Sequence, residues 1–160
     1  MAIEVRKAAD TERPTVERLI QLYLYDMASE HPWPLEPDGR YAYDFFDRFW
    51  QHPYVLYANG ELAGFAFVIR GCPITAHADC WFMAEFFVLR PYRRKGLGAE
   101  AARQLLATYP GLWHVAVLQS NQSALAFWGR ALSAYEPIVT PTQFDGDGWL
   151  VHRFNTPVST

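Results

Sequence analysis

The stretch Glu85-Phe86-Phe87-Val88-Leu89-Arg90-Pro91-Tyr92-Arg93-Arg94-Lys95-Gly96-Leu97-Gly98 is the most informative part of this chain. Its continuous apolar run, residues 86–89, predicts a strand that is buried on both faces. A basic turn with two glycines follows the strand. Residues 99–108 are strong helix formers, so this turn opens a helix. The stretch therefore predicts a strand–loop–helix unit.

The loop of this unit has the features of an anion site. Gly96 and Gly98 lack side chains, so backbone N–H groups there can approach a bulky anion closely. The first N–H groups of a helix have no intrahelical partners and carry partial positive charge. Arg93, Arg94 and Lys95 add three charges beside them. The combination predicts a binding site for a phosphate or a pyrophosphate.

Spacing separates the known types of phosphate loop. A P-loop ends in Gly-Lys-Ser/Thr, but here Lys95 precedes Gly96 and no hydroxyl residue follows. A Rossmann fingerprint, formally met by residues 96–101, needs its first glycine directly after the strand and an acidic residue about twenty positions later. Six residues separate Leu89 from Gly96, and residues 101–135 contain no Asp or Glu. A dinucleotide-binding domain is therefore a weak alternative.

The third type of loop is Arg-x-x-Gly-x-Gly, which residues 93–98 match directly after a strand. The unit resembles the coenzyme A pyrophosphate site of the GNAT superfamily of N-acetyltransferases. Residues 121–128, Asn-Gln-Ser-Ala-Leu-Ala-Phe-Trp, resemble the later Asn-x-x-Ala-x-x-Phe-Tyr helix of that family and follow a second predicted strand. The occurrence of both motifs in order, within residues 80–134, argues against a chance match.

The resemblance implies an α+β fold of the GNAT acyl-CoA N-acyltransferase type, a mixed central sheet of about seven strands flanked by about four helices. It implies one domain over residues 1–160. In that family two central strands splay apart, and the pantetheine arm of the coenzyme enters the gap. The implied activity is direct transfer of an acetyl group from acetyl-CoA, without a metal, to an amine of a small-molecule or peptide acceptor in a ternary complex.

The resemblance also implies which residues contact the coenzyme. Backbone N–H groups of residues 94–98 would face the pyrophosphate, and the motif strand would offer backbone groups to the pantetheine amides while its side chains lie in the core. Asn121 is the predicted N-cap of its helix, and it would contact the coenzyme too. The expected cofactor-binding residues are Phe86, Phe87, Val88, Arg93, Arg94, Lys95, Gly96, Leu97, Gly98, Asn121, Phe127 and Trp128.

Trp128 departs from the family pattern. Many members carry Tyr at this position, where its hydroxyl can protonate the leaving thiolate. An indole N–H does not titrate usefully. A thiolate with a pKa of about 8.5 can leave without obligatory protonation, so the departure does not exclude catalysis. It favours an alternative, a non-catalytic acyl-CoA-binding or sensing module, and it leaves open Tyr135 or another tyrosine as a substitute.

An acceptor amine must be neutral to attack. An amine with a pKa of about 10.4 is neutral in only about one part in 2,500 at pH 7, about 4.6 kcal/mol from full availability, so a base is useful. Glu85 is the candidate general base, because it starts the motif strand and family members often place a carboxylate there. A structural ion pair with an arginine is the alternative role of Glu85. Asp79 and His114 are weaker candidates.

Hydrophobic periodicity and turn residues predict the remaining elements. Residues 53–58 and 61–70 flank Asn59-Gly60, a strong signal for a two-residue hairpin. An amphipathic helix runs from a Thr11 cap to about Glu30. The other predicted elements are strands at 3–8, 80–89, 112–118, 135–143 and 148–154, helices at 41–51 and 99–108, and a helix from Asn121 to about Ser133, with a loop over 71–79.

A densely aromatic segment lies where the first two helices of the family border the acceptor site. We expect these rings mainly to pack in the core and lid, and any that line an acceptor pocket would suit a partly apolar or cationic amine. Nearby carboxylates could attract a cation. The aromatic residues are Trp33, Tyr41, Tyr43, Phe45, Phe46, Phe49 and Trp50, and the acidic ones are Glu36, Asp38, Asp44 and Asp47.

Composition limits the partners. The net charge of −3 provides no sequence-wide basic field for nucleic acid or anionic membrane. No apolar run approaches the eighteen or so residues that span a bilayer, and the N-terminus has no signal-peptide core. Cys72 and Cys80 match no metal or redox spacing. We expect a cytoplasmic protein with no nucleic-acid or membrane partner, a homodimer through the C-terminal strands, and a loose tail over residues 156–160.

Overall fold

The computed structural model describes residues 1–158, which contain seven strands and four α-helices. The strands are β1 (Ile3–Lys7), β2 (His52–Ala58), β3 (Glu61–Cys72), β4 (His77–Val88), β5 (Gly111–Leu118), β6 (Ile138–Phe144) and β7 (Asp147–Thr156). The α-helices are α1 (Arg13–Met27), α2 (Phe46–Phe49), α3 (Leu97–Thr108) and α4 (Gln122–Ala131). The numbers of strands and helices agree with the prediction.

The strands form one mixed sheet in the order β1-β2-β3-β4-β5-β7-β6. Helices cover both of its faces. On one face α1 and α2 pack against Phe65 and Phe67 of β3, and on the other α3 and α4 pack against Val68 and Met83. Each face therefore has its own hydrophobic core, with β3 and β4 between them.

The two short hairpins are closed by left-handed residue pairs. Asn59 and Gly60 have φ of 52° and 81°, and Asp145 and Gly146 have φ of 51° and 82°. Two consecutive positive φ values are the geometry of the two-residue turn that matches strand twist. The Asn59-Gly60 hairpin is confirmed, and the turn between β6 and β7 consists of Asp145 and Gly146.

A β-bulge in β4 changes which side chains share a face. Phe67 pairs with Glu85, but Val68 pairs with Met83, so Ala84 is an extra residue in β4. A bulge of one residue reverses the alternation of side chains along the strand. As a result Glu85 lies on the α1 face of the sheet together with Phe87.

The central parallel pair separates after two residue pairs. β4 and β5 pair only at Trp81–Trp113 and Phe82–His114, and the later residues of β4 have no partner on that side. The neighbours on the other sides of both strands are antiparallel and paired over most of their length. A gap therefore opens between the carboxyl ends of β4 and β5, as the family resemblance implies.

The alternation of backbone bonds shows which groups of β4 face this gap. Leu89 donates its N–H to the carbonyl of Ala63 in β3 at 2.8 Å. Hydrogen-bonded and non-hydrogen-bonded pairs alternate along an antiparallel ladder, so Phe87 also directs its N–H and C=O toward β3. The backbone groups of Phe86 and Val88 consequently point into the gap.

The predicted helix over residues 41–51 is wrong, because only Phe46–Phe49 forms an α-helix. The Gln21 side chain holds Tyr41 by its backbone, accepting from the N–H at 2.8 Å and donating to the C=O at 2.9 Å. These bonds take the backbone groups that a helix would use. The aromatic residues then pack through separate contacts. The rings of Phe46 and Trp50, for example, stack with their centroids 5.2 Å apart.

Several other boundaries differ from the prediction. Thr11 does not cap α1, because a 3-10 turn over Asp10–Glu12 precedes the helix and the Glu12 carboxylate accepts the Ala9 N–H at 2.9 Å. β3 ends later than predicted, at Cys72, and β4 begins earlier, at His77. The loop predicted over residues 71–79 therefore shrinks to residues 73–76.

Thr156 does not belong to a loose tail. It ends β7 and is 5% exposed, and its Oγ1 accepts the Gly111 N–H at 3.2 Å. Residues 159 and 160 of the predicted tail lie outside the described residues. β6 is an edge strand with exposed Ile138 and Val139, and the homodimer through this region stays a prediction.

Gly64→Ala should destabilise the junction of β3 and β4. A Cβ built on Gly64 would lie 2.1 Å from the carbonyl oxygen of Phe87, a backbone atom that cannot move without breaking the ladder. We expect a loss of about 2–3 kcal/mol in the free energy of unfolding, measured by urea denaturation. Gly129→Ala in α4 meets nothing within 4 Å and should instead gain about 0.5–1 kcal/mol. Equal stability of the two variants would contradict the close approach of Gly64 to the Phe87 carbonyl.

Candidate functional site

The gap between β4 and β5 opens into a cleft of about 1080 Å³. Its walls come from α1, the end of β4, the loop after β4, the start of α3, and α4. Lys95 and Leu97 of the expected cofactor residues do not line it: Lys95 is exposed and Leu97 is fully buried. The expected residues that do line it are Phe86, Phe87, Val88, Arg93, Arg94, Gly96, Gly98, Asn121, Phe127 and Trp128.

The basic loop presents N–H groups at one end of this cleft. Arg94 and Gly96 both have positive φ, 61° and 85°, and α3 starts directly afterwards at Leu97. The first-turn N–H groups of α3 have no partner within the helix. A Cβ on Gly96 would meet nothing within 4 Å, so the backbone here is open to a ligand.

Gly98 has a different role from the one its motif predicts. A Cβ at this position would lie 2.9 Å from Cε1 of Phe127 and 3.7 Å from Cγ2 of Val88. The missing side chain therefore allows α4 to pack closely against the start of α3. Position 96 requires glycine because of its positive φ. Position 98 requires glycine because the Phe127 ring leaves no space for a side chain.

Arg93 is engaged in holding the loop to α1. Its Nε donates to the Val88 carbonyl at 2.8 Å, and its Nη2 donates to Asp26 Oδ2 at 2.8 Å. Arg90 donates to the other oxygen of Asp26, also at 2.8 Å. Burial alone would raise the pKa of Asp26, but the hydrogen bonds from Arg93 and Arg90 outweigh it and lower the pKa. No local sequence pattern marks Asp26 as part of this site.

Arg94 borders the cleft and, unlike Arg90 and Arg93, has no carboxylate partner among residues 1–158. Its side chain is exposed, and among residues 1–158 no acidic group forms a salt bridge with it or with Lys95. The positive charge that this loop offers to a ligand therefore comes from Arg94, Lys95 and the α3 N-terminus, while the Arg93 charge is shared with Asp26.

Asn121 caps α4 as predicted. Its Oδ1 accepts the Ala124 N–H at 3.1 Å and the Ser123 hydroxyl at 3.3 Å. Asn121 and Ser123 both line the cleft, on the wall opposite β4. The start of α4 is thus fixed at the cleft by its own capping residue.

Trp128 forms an apolar wall of the cleft. It is 6% exposed and packs edge-on against Phe86 with ring centroids 5.1 Å apart. Tyr135, one substitute considered for the missing family tyrosine, instead stacks on Phe154 at 5.2 Å and does not line the cleft. The tyrosine that borders the cleft is Tyr23 of α1.

Glu85 lies beneath α1, held by two tyrosines. Tyr23 donates its hydroxyl to Oε1 at 3.0 Å, and Tyr43 donates its hydroxyl to Oε2 at 2.7 Å. Burial raises the pKa of Glu85 to about 7, although the hydrogen bonds from Tyr43 and Tyr23 lower it. Among the described residues no arginine forms a salt bridge with Glu85, so the ion-pair alternative has no support. A carboxyl group with this pKa can accept or release a proton near neutrality.

A second cavity, a groove of about 520 Å³, is lined by Tyr43, whose hydroxyl bonds Glu85. It is bordered by α1 and residues 36–46, part of the segment that the family resemblance places beside the acceptor site. Tyr41, Tyr43 and Phe46 of the aromatic segment line this groove, as do the carboxylates of Glu36 and Asp38. The other aromatic and acidic residues of that segment do not line it.

The weaker base candidates are elsewhere. Asp79 is exposed and paired with Arg70, and neither cavity includes it. His114 is buried, its Nδ1 lies 3.2 Å from Thr75 Oγ1, and burial lowers its pKa. His114 also borders neither cavity. The structure brings Glu85, but not these two residues, close to the cleft.

Residues 1–158 hold no group of three or more His, Cys, Asp or Glu side chains that could bind a metal ion. None of the helices in this part of the chain is long and apolar enough to cross a membrane.

Comparisons with known proteins agree with this architecture. The sequence profile of the Acetyltransferase (GNAT) family matches residues 17–133. A GNAT-family acetyltransferase from Streptococcus agalactiae is 15% identical with a TM-score of 0.73, covering 97% of this chain and 96% of that one. An acetyltransferase from Thermus thermophilus is 14% identical with a TM-score of 0.68, covering 97% of both chains.

A third solved structure carries a ligand. YncA from Salmonella typhimurium, solved with its cofactor acetyl-CoA, is 14% identical with a TM-score of 0.63, covering 100% of this chain and 97% of that one. No curated protein matches the sequence. The predicted α+β fold with its seven-stranded mixed sheet is confirmed.

The pKa of Glu85 predicts how stability depends on pH. The unfolded chain releases this proton near pH 4.5, whereas the folded protein keeps it to about pH 7. The folded state binds more protons between these values, so Glu85 lowers the free energy of unfolding as pH rises from about 4.5 to about 7. Its stabilising contribution is complete below pH 4.5 and lost above pH 7.

The glutamine of the Glu85→Gln variant has no titrating proton, so this variant should not show the fall in the free energy of unfolding between about pH 4.5 and pH 7. Urea denaturation at pH 5, 6, 7 and 8 measures it, with Glu36→Gln as a control for loss of an exposed negative charge. The Glu85 variant should gain stability relative to the wild type as pH rises, and the control should follow the wild type. Parallel profiles for all three proteins would contradict the buried environment assigned to Glu85.

Proposed function

The chain belongs to the GNAT family of acetyltransferases, and from this premise we propose that it transfers an acetyl group from acetyl-CoA directly to an amine of a small-molecule or peptide acceptor. The observation that carries the proposal is the continuity of one cleft, from an anion-binding loop to the unpaired edge of β4 and on to Tyr23 beside Glu85.

The residues present fit coenzyme A. The open, left-handed Gly96 and the first-turn N–H groups of α3 would hold the pyrophosphate, with Arg94 supplying charge. The Phe86 backbone groups and the Val88 N–H point into the gap and would bond to the pantetheine amides as a neighbouring strand would, while the Val88 carbonyl accepts from Arg93. The Trp128 ring would exclude water from one side of the arm.

Acetyl-CoA, when bound, supplies an acyl group on a thiol leaving group. The chain would supply three things to the reaction. Glu85, which lines neither the cleft nor the groove, would take up the proton of the acceptor amine through the Tyr23 hydroxyl that borders the cleft. The Val88 N–H, which faces the gap, would donate to developing negative charge on the carbonyl oxygen. The apolar surface of Phe86 and Trp128 would keep the reacting region dry, which strengthens both effects.

The test of this proposal is thiol release from acetyl-CoA over a panel of amines, each acetylated product being identified by mass spectrometry. Amine-dependent release of coenzyme A would support an N-acetyltransferase. Tight binding of acetyl-CoA without transfer to any amine in the panel would favour the non-catalytic acyl-CoA-binding module. Binding of NAD in place of coenzyme A would support the dinucleotide-binding alternative.

Arg94→Gln should weaken coenzyme A binding about tenfold, because one charge-assisted hydrogen bond contributes about 1.4 kcal/mol. Isothermal titration calorimetry at two salt concentrations measures the change, and the wild-type advantage should shrink at high salt. Arg103→Gln is the matched control, since Arg103 is exposed on α3, pairs with Glu100, and does not border the cleft. Equal loss of affinity in the two variants would contradict the assignment of Arg94.

A further inference from the structure

The indole N–H of Trp128 is a hydrogen-bond donor that the protein itself does not use. Trp50 donates its indole N–H to Asp10 Oδ1 at 3.0 Å, and Trp113 donates its own to the Tyr109 carbonyl at 2.8 Å. The Trp128 N–H has no such acceptor among residues 1–158. Because an indole nitrogen can only donate, this group is available to an acceptor atom of a ligand.

This nitrogen opens into the cleft. Trp128 is 6% exposed and lines the cleft from α4. Within residues 1–158 the side-chain nitrogens that are sealed from solvent without a partner belong to His52, His114 and Trp149, so the Trp128 nitrogen is not sealed. A ring that is more than nine-tenths buried therefore presents its one polar atom to the space where a ligand would lie.

Trp128 also lies at the part of the cleft where the reaction is proposed to occur. The edge of β4 at Phe86 and Val88 would hold the pantetheine arm and the thioester carbonyl. The Trp128 ring covers this edge, with its centroid 5.1 Å from that of Phe86. The sulfur atom joins the arm to the carbonyl carbon, so it would lie along the stretch that Trp128 covers.

We propose that the Trp128 indole N–H hydrogen-bonds the sulfur of coenzyme A and stabilises the thiolate that leaves during acetyl transfer. This inference rests on the proposed acetyltransferase function and deepens it. It makes Trp128 a catalytic residue that acts by donating a hydrogen bond and transfers no proton. The tryptophan is then a working replacement for the tyrosine of the family pattern.

The transfer balances without an acid at the sulfur. The neutral amine nitrogen forms the C–N bond, the C–S bond breaks with its electron pair on sulfur, and the nitrogen loses one proton. That proton reaches Glu85 through the Tyr23 hydroxyl. The sulfur stays a thiolate while Trp128 donates to it, and it takes up a proton from water after coenzyme A leaves, since a thiol has a pKa of about 8.5.

Tyr23 is poorly suited to protonate the sulfur. Its hydroxyl is already donated to Glu85 Oε1 at 3.0 Å, and burial and the Glu85 charge raise its pKa well above the ordinary value. The surroundings of Trp128 favour a hydrogen bond to charge instead. The rings of Phe86 and Phe127 pack against it at 5.1 and 5.0 Å, and a hydrogen bond to an ionised group is stronger in such an apolar site.

The first test observes the indole N–H by proton–nitrogen NMR, without an acceptor amine. The Trp128 signal, identified by its loss in Trp128→Phe, should move downfield when coenzyme A binds. It should move much less with desulfo-coenzyme A, which fills the same cleft without a sulfur atom. The Trp50 indole, bonded to Asp10 and outside the cleft, should respond to neither ligand. An equal shift of the Trp128 signal with both bound ligands, or no shift with either, would overturn the assignment to sulfur.

The second test measures the ionisation of the bound thiol by carbon-13 NMR of the carbon next to the sulfur. A donor to the thiolate should make the pKa of this thiol about one unit lower in the wild type than in Trp128→Phe. Equal pKa values would overturn the proposal. The difference reports the indole, because the other charged groups that border the cleft are present in both proteins: Asp26, Glu30, Arg90, Arg93, Arg94 and Arg130.

The third test is kinetic and uses a matched ring. Replacing Trp128 by benzothienylalanine puts a sulfur in place of the indole N–H and keeps the ring shape. It should lower kcat about tenfold, the effect of one charge-assisted hydrogen bond, and leave the Kd of acetyl-CoA unchanged, because the bond strengthens only as charge forms on sulfur. Trp128→Tyr, which restores a hydroxyl donor, should be more active than Trp128→Phe.

Two outcomes of the kinetic test separate the inference from the function on which it rests. Wild-type kcat in the benzothienylalanine protein would overturn the role of the indole N–H and leave the acetyltransferase function intact. A wild type that binds coenzyme A but acetylates no amine would overturn the proposed function and, with it, the catalytic role of Trp128.

Discussion

The separation of β4 from β5 is the constraint on which the rest of the structure depends. Two parallel strands that pair at Trp81–Trp113 and Phe82–His114 and then diverge leave backbone N–H and C=O groups of Phe86 and Val88 without a strand partner. The Val88 carbonyl accepts from Arg93 Nε, and the other groups need hydrogen-bond partners from water or a ligand. The gap persists because aromatic side chains fill the space around it, with Phe86 against Phe127 and Trp128.

The bulge at Ala84 and the Arg93–Asp26 contacts determine what this gap can do. The bulge turns Glu85 toward α1, where burial keeps a carboxyl group able to exchange protons near neutrality. Arg93 joins the end of β4 to Asp26 of α1, which fixes the basic loop relative to the helix that carries Tyr23. The basic loop therefore borders the cleft directly, whereas Glu85 lies behind Tyr23 of the cleft wall.

The strand–loop–helix unit and the Asn121 cap could be predicted from the sequence, because they depend on local patterns of apolar residues, glycines and capping side chains, and the mixed sheet followed from the family resemblance. The coil over residues 40–45 was not predictable, since Gln21, twenty residues from Tyr41, determines it. The same is true of the roles of Tyr23, Tyr43 and Asp26, which depend on contacts between distant segments. Gly98 shows that a motif residue can be identified correctly and still act through packing.

The most direct test of the central claim is amide hydrogen exchange with and without coenzyme A. If the unpaired edge of β4 receives the ligand, coenzyme A should slow exchange at Phe86 and Val88 and at the first-turn amides of α3, residues 97–99. The Glu85 and Phe87 amides, which point toward β3, should change much less. Binding of coenzyme A with unchanged exchange at Phe86 and Val88 would contradict the role of the β4 edge in holding the ligand.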